Sequence, residues 1–230
     1  MVATAIVVPT QAHAQRVTPM SYELAPSGSK STVNLSLENT SQTDMTIEMM
    51  AARIAVDDRG NETKTDAEDD FLIFPPQMIL AAGKTQTVRV KYVGEPRIDE
   101  SAAYRIAVKQ VPVDIDRGGT AGVGLVVNFN TLAHVVPSGA KTELIVSNIR
   151  SNASGGWDLD VTNNGNRMAR LSRTEWDVSG GGTTQSLNRN EVADMTDKNL
   201  VMPGATLTLS IPAIEGMSAS STSIIIRDIS

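Results

Sequence analysis

The sequence contains no cysteine among its 230 residues, which removes disulfide frameworks, thiol nucleophiles and thiolate metal sites from consideration. Aromatic residues make up only 3% of the chain, so its cores have to be aliphatic, built from Val, Ile, Leu, Ala and Met with few large anchors. Histidine is nearly as scarce, and beyond the N-terminal segment only His134 remains. With neither a Gly-x-Ser-x-Gly elbow nor a P-loop, the chain supports no triad and no phosphate-transfer site, and it does not read as an enzyme. A basic excess is also lacking: the formal charge is -6, and the scattered Lys and Arg form no stripe of the kind nucleic-acid binding requires. No run approaches about 18 consecutive apolar residues, so no stable membrane insertion is expected.

What is present begins with a short apolar run over residues 2–8, followed by Ala12-His13-Ala14 and then Gln15. The small-x-small pattern predicts a signal peptide over residues 1–14 and export of the rest, although no Lys or Arg precedes the apolar run. After Gln15 the sequence alternates and is punctuated by Gly, Pro, Asn, Asp and Ser, as in an all-β protein. Segments 33–37, 46–54, 87–92, 104–111 and 123–136 read as strands. No segment joins a sustained helical period to a capping signal, which argues against a helix-rich architecture.

Two internal matches divide the chain. VNLSLENTS from Val33 resembles WDLDVTNNG from Trp157, and LAAGKTQTV from Leu80 resembles VMPGATLTL from Val201. The offsets of 124 and 121 residues are nearly equal, so the halves read as two copies of one fold. Pro137-Ser138-Gly139-Ala140 interrupts the strand pattern between them. The expectation is therefore two immunoglobulin-like β-sandwiches in tandem, residues 16–137 and 141–230, each of about seven antiparallel strands. The last strand of the second copy, near residues 223–227, corresponds to the penultimate strand of the first.

Two other motifs have ordinary readings. The acidic stretch 57–70, with Asp57, Asp58, Asp66, Asp69 and Asp70, lacks the spacing of a calcium loop and reads as a solvated hairpin. Gly118, Gly119, Gly122 and Gly124 join strands rather than open a helix, so they read as a connection and not a phosphate cradle. No metal and no cofactor is expected. The segment 123–132 is different. Alternation sets Val123, Leu125, Val127 and Phe129 on one face, and a strand of this composition at a sheet edge invites a partner strand beside it.

Phe74-Pro75-Pro76, then Gly83-Lys84-x-Gln86-Thr87-Val88-Arg89-Val90, then Tyr104-Arg105-Ile106 and Gln110-Val111-Pro112 together resemble the first domain of PapD-like periplasmic pilus assembly chaperones. The ordered set covers about residues 16–137, and the internal repeat extends the likeness over the rest. The resemblance implies two immunoglobulin-like domains set at an angle in a boomerang-like shape, a signal peptide and a periplasmic location. It further implies donor-strand complementation, in which the last strand of the first domain is lent to a pilin subunit until an outer-membrane usher takes the complex. Carried over by position, the donor residues are Val123, Leu125, Val127 and Phe129, and the usher contact falls around Phe74, Pro75 and Pro76. In the free chaperone the same strand is open to self-association.

The family's two basic residues for the subunit's terminal carboxylate are missing. Residues 17–24 hold no Lys or Arg, and the late donor-strand position falls at Leu132, which points to a divergent, archaic or alternative branch. In an antiparallel hairpin the start of the preceding strand lies beside that position, so Arg105 is the first candidate anchor, with Arg89 and Lys109 behind it. A secreted structural or adhesive protein of tandem immunoglobulin-like domains is the alternative that shares the same β pattern.

Overall fold

In the computed structural model, which describes residues 15–111 and 128–229, strands succeed one another in the order the alternation sets. The first half contains β1 (Arg16–Thr18), β2 (Ser21–Leu24), β3 (Thr32–Glu38), β4 (Met45–Val56), β5 (Glu62–Asp66), β6 (Phe71–Phe74), β7 (Gln77–Leu80), β8 (Thr85–Tyr92), β9 (Ala102–Val111) and β10 (Asn128–Val135). They form two facing sheets. One has the order β1-β3-β8-β6, and the other runs β2-β10-β9-β4-β5 with β7 added to β4.

Period-two alternation accounts for the packing. Leu35 and Leu37 of β3, Met45, Ile47, Met49 and Ala51 of β4, and Val88 and Val90 of β8 all point into one buried cluster, while their neighbours face out. Phe71, Tyr92 and Tyr104 meet edge to face or tilted within that cluster, at ring separations of 5.0–6.0 Å. The segment of residues 16–24 does not form one continuous strand. Around the cis Thr18–Pro19 bond it leaves the first sheet, where β1 pairs with β3, and enters the second, where β2 runs parallel to β10.

The second half contains β11 (Leu144–Ser151), β12 (Trp157–Asn163), β13 (Ala169–Arg170), β14 (Thr174–Gly180), β15 (Thr183–Leu187), α1 (Arg189–Met195), β16 (Leu200–Val201), β17 (Thr206–Ile211) and β18 (Ser223–Asp228). Its sheets β11-β12-β17 and β15-β14-β18 enclose a core around Trp176, Leu159, Leu171 and Leu209, with a short β13-β16 pair at one end. The molecule is thus all-β, two immunoglobulin-like sandwiches in tandem, with a single α-helix among the described residues. That helix departs from the sequence expectation. Its start is a capping box: the Asn188 side chain accepts from the Asn190 and Glu191 N–H groups, and Glu191 accepts from the Asn188 N–H.

The two sandwiches touch through a third apolar cluster. Ile54, Ala103 and Leu132 of the first meet Met168 and Leu200 of the second. Around it the Ser101 hydroxyl accepts from Met168 N–H at 2.7 Å, Ser101 N–H donates to Asn166 O at 2.9 Å, and Arg167 pairs with Glu23 at 2.7 Å. The acidic hairpin also reaches across. The tip between β4 and β5 is held by Asp57, whose carboxylate accepts from Arg59 N–H, Asn61 N–H and Asn61 Nδ2. Asp58 O then accepts from Thr208 N–H on the edge strand β17 at 2.8 Å. The stretch is accordingly an interdomain contact as well as a hairpin.

Candidate functional site

The β10 strand has two unlike halves. Residues 132–135 lie between β9 and the parallel β2, with Leu132 opposite Arg105 on one side and Ser21 on the other. Residues 128–131 pair with β9 only, and among the described residues no strand bonds to their other side. Phe129 sits in that half, partly buried and packed against the first core. Val123, Leu125, Val127 and the glycines of the preceding loop lie outside the described residues.

The three sequence-chosen cations are dispersed. Arg89 lies opposite Phe74 and Asn34, in the sheet β1-β3-β8-β6. Lys109 lies opposite Asn128 and Glu48, towards the far end of β9. Arg105 alone reaches the cleft between the domains, where its guanidinium grips Glu62 with both arms: Nε donates to Oε2 at 3.0 Å and Nη2 donates to Oε1.

Facing Arg105 is a set of cations that residue patterning in the first domain did not reveal. Arg105 and Arg170 line one cavity of about 390 Å³, together with Glu62, Asp197 and Lys198. On its other flank Arg170 joins Arg167, Arg173, Ser21 and His134 around a smaller pocket of about 110 Å³. Arg170 Nη1 donates to the Ser21 hydroxyl at 2.7 Å, while its buried Nε has no partner among the described residues. Burial, with Arg173 and Arg105 nearby, pulls the Arg170 guanidinium below its usual range. A signal for this group was available, since arginine recurs every third residue at Arg167, Arg170 and Arg173.

His134 also lines the smaller pocket. It is 7% exposed, and its Nε2 lacks a partner among the described residues. Burial, then the charges of Arg167, Arg170 and Arg173, push its pKa down to about 4, so it is neutral near pH 7. The guanidinium groups of Arg167, Arg170 and Arg173 gathered around this pocket favour an anionic visitor such as a carboxylate.

A second surface lies away from the cleft. Phe74 ends the edge strand β6 and is 71% exposed, the next bond to Pro75 is cis, and Ile79 on β7 is 73% exposed. Pro76 O accepts from Met49 N–H at 2.8 Å, which ties the turn to the sandwich beneath.

The family model described as pili and flagellar-assembly chaperone, PapD N-terminal domain, matches residues 17–136, more than half of the chain. No curated protein matches by sequence. Among solved structures, the fold is similar to one of the Salmonella enterica SafA pilin in complex with the SafB chaperone, at a TM-score of 0.60 and 17% identity, covering 96% of this chain and 99% of that one. It is also similar to the Escherichia coli chaperone DraB, at a TM-score of 0.57 and 15% identity over 95% and 97% of the two chains. A third similarity is to the CsuC-CsuE chaperone-tip adhesion subunit pre-assembly complex of Acinetobacter baumannii, at a TM-score of 0.56 and 13% identity over 86% and 90%. At these identities the structural matches speak for the fold.

Proposed function

The chain belongs to the pili and flagellar-assembly chaperones, and from that premise we propose that it is a periplasmic chaperone that lends a strand to incomplete pilin subunits and passes them to an outer-membrane usher. The half-open β10 carries this reading. Residues 128–131 have β9 on one side and no strand on the other among the described residues, which leaves main-chain groups to pair with a subunit strand. The sequence leading into that edge supplies Val123, Leu125 and Val127 as alternate side chains for the subunit's groove. Each is worth roughly 1.5–3 kcal/mol when buried, so together they stabilise a subunit that lacks part of its own core. Phe129, which packs partly on the chaperone's own core, continues the series at the start of the open edge.

The cleft receives the subunit's terminal carboxylate between Arg105 of the first domain and Arg170 of the second, replacing the cations absent from the first strand and from Leu132. Residues 16–137 act as the strand-lending domain and 141–230 as its companion. Phe74, Pro75 and Pro76 offer the usher an exposed apolar surface on a fixed turn. When no subunit is bound, the open half of β10 is the edge that self-association covers. The chemistry is binding and folding, without cofactor or covalent step.

The test is co-expression with a pilin subunit that lacks its final strand. The tagged chain should copurify with soluble subunit, and replacing Val123, Leu125 and Val127 together by Ser should abolish this while the chaperone stays folded. Equal recovery of subunit with the triple variant would contradict the donor-strand reading.

A further inference from the structure

The Arg105 fork is already occupied by a carboxylate from its own chain. Nε and Nη2 meet the two oxygens of Glu62, the arrangement in which a guanidinium takes a carboxylate. Both side chains remain within reach of solvent, at 22% and 25% exposure. With most of each side chain covered, breaking the pair without a replacement would leave Arg105 a poorly solvated cation, so Glu62 yields only to another carboxylate.

Glu62 is also held in place. It opens β5 directly after the Asp57-ordered tip, and that tip is fixed to the second domain. Asp58 O takes the outward N–H of Thr208, and Lys198 Nζ donates to Thr208 O at 2.7 Å. The stem of Lys198 passes so close to Gly60 that a Cβ there would meet it at 2.9 Å, at a residue whose φ of +80° already favours glycine. The hairpin therefore forms a wall of the 390 Å³ cavity, and Glu62 points its charge at Arg105 from that wall, across from Arg170.

We propose that Glu62 is a built-in stand-in for the ligand's carboxylate, occupying Arg105 in the free protein and swinging out to solvent when the carboxylate of a bound chain's terminus arrives. This rests on the cleft reading given above. The exchange replaces one bidentate pair by another, so Arg105 is never left as a bare cation in a half-buried cleft. Its cost is subtracted from the affinity for the incoming terminus, which makes Glu62 a brake on carboxylate binding.

The experiment uses the full chain and two probes: a hexapeptide of alternating Val and Ser with a free C-terminal carboxylate, and the same peptide amidated. Binding is followed by NMR titration of the wild type, Glu62→Gln, and the double variant Glu62→Gln/Arg105→Gln, with thermal melts to verify folding. The wild type should prefer the acid. Glu62→Gln should tighten acid binding by about two- to fivefold and leave the amide unchanged, and the double variant should lose that gain. Acid affinity that stays constant or falls in folded Glu62→Gln overturns the proposal, as does a wild type indifferent to the terminal carboxylate. Neither result bears on strand donation, which subunit copurification judges separately.

Discussion

Asn39 and Asn163 occupy the same position in the two sandwiches and make the same hydrogen bonds. Asn39 Nδ2 donates to Leu80 O at 2.9 Å and Thr43 O at 2.8 Å, while its Oδ1 accepts from Ser41 N–H. Asn163 Nδ2 donates to Val201 O at 3.2 Å and Arg167 O at 2.7 Å, while its Oδ1 accepts from Gly165 N–H. Even the backbone agrees: Asn39 N–H reaches Lys84 O, and Asn163 N–H reaches Ala205 O. Each side chain fastens a strand end to the turn that precedes the next paired strand. Because both are fully buried, water cannot replace them.

Removing either amide should therefore be costly. Asn39→Ala or Asn163→Ala leaves two carbonyls without their donor, a loss of roughly 2–5 kcal/mol in urea unfolding. Asn163→Asp should be no better despite its similar shape, because a carboxylate cannot donate and would face two carbonyl oxygens. A loss below about 1 kcal/mol would show that the turn holds without its amide.

His134 gives the molecule an acid-sensitive element. Burial and three nearby arginines lower its folded pKa to about 4 from an ordinary 6.5. The unfolded chain therefore takes up a proton at a pH where the folded chain does not. Stability from this residue is intact above about pH 6.5 and is lost as the pH falls towards 4, by up to about 3 kcal/mol. Urea unfolding at pH 7.5 and 4.5 should show a smaller difference for His134→Gln than for the wild type. An equal change in both proteins would mean that folding leaves the proton affinity of the ring unshifted.

Phe71, Tyr92 and Tyr104 are the buried rings of the first core, and Tyr104 is the least exposed of them. Its hydroxyl donates to Asp70 Oδ2 at 3.0 Å, and burial raises its pKa well beyond the usual phenol range. Tyr104→Phe keeps the ring contacts with Phe71 and Tyr92 but leaves Asp70 without that donor, which should cost about 1 kcal/mol. Phe71→Ala removes the ring that both tyrosines pack against and should cost about 3–5 kcal/mol. Thermal unfolding of the two variants separates the hydrogen bond from the packing.

The alternation of β3, β4 and β8 was legible because strand side chains repeat every two residues, and each apolar series points into one core. The repeat was legible for a related reason: the Asn-headed turns at Asn39 and Asn163, and the turns at Gly83 and Gly204 with φ of +65° and +67°, need particular residues at fixed spacing. The crossing at Pro19 left only a faint signal, Val17 and Leu24 falling on opposite faces of a single strand, and pairing with two different sheets is what separates the two segments. The helix α1 was missed because seven residues are too few to show a period, although Asn188 and Glu191 spell its capping box. The cleft was legible on one wall only. Strand order brings Arg105 to Leu132, but Arg170 reaches Ser21 across 149 residues, through docking of two domains that local sequence does not describe.

That docking depends on few apolar atoms, and Met168 is central to them. Its side chain is 2% exposed between the domains, with Ile54, Ala103 and Leu132 on one side and Leu200 on its own, and its N–H is held by the Ser101 hydroxyl. Met168→Ala keeps that backbone bond but opens a cavity at the junction, a loss of roughly 2–5 kcal/mol if the neighbours do not close in. The damage should fall on coupling more than on either sandwich, since each has its own core. Calorimetry should then resolve two transitions in Met168→Ala where the wild type shows one. Because Arg170 lies two residues on, in β13, the same variant should also weaken the preference for a carboxylate-ended peptide. A single transition at an unchanged temperature would mean that the polar contacts at Ser101, Asn166 and Glu23 hold the domains together without the apolar cluster.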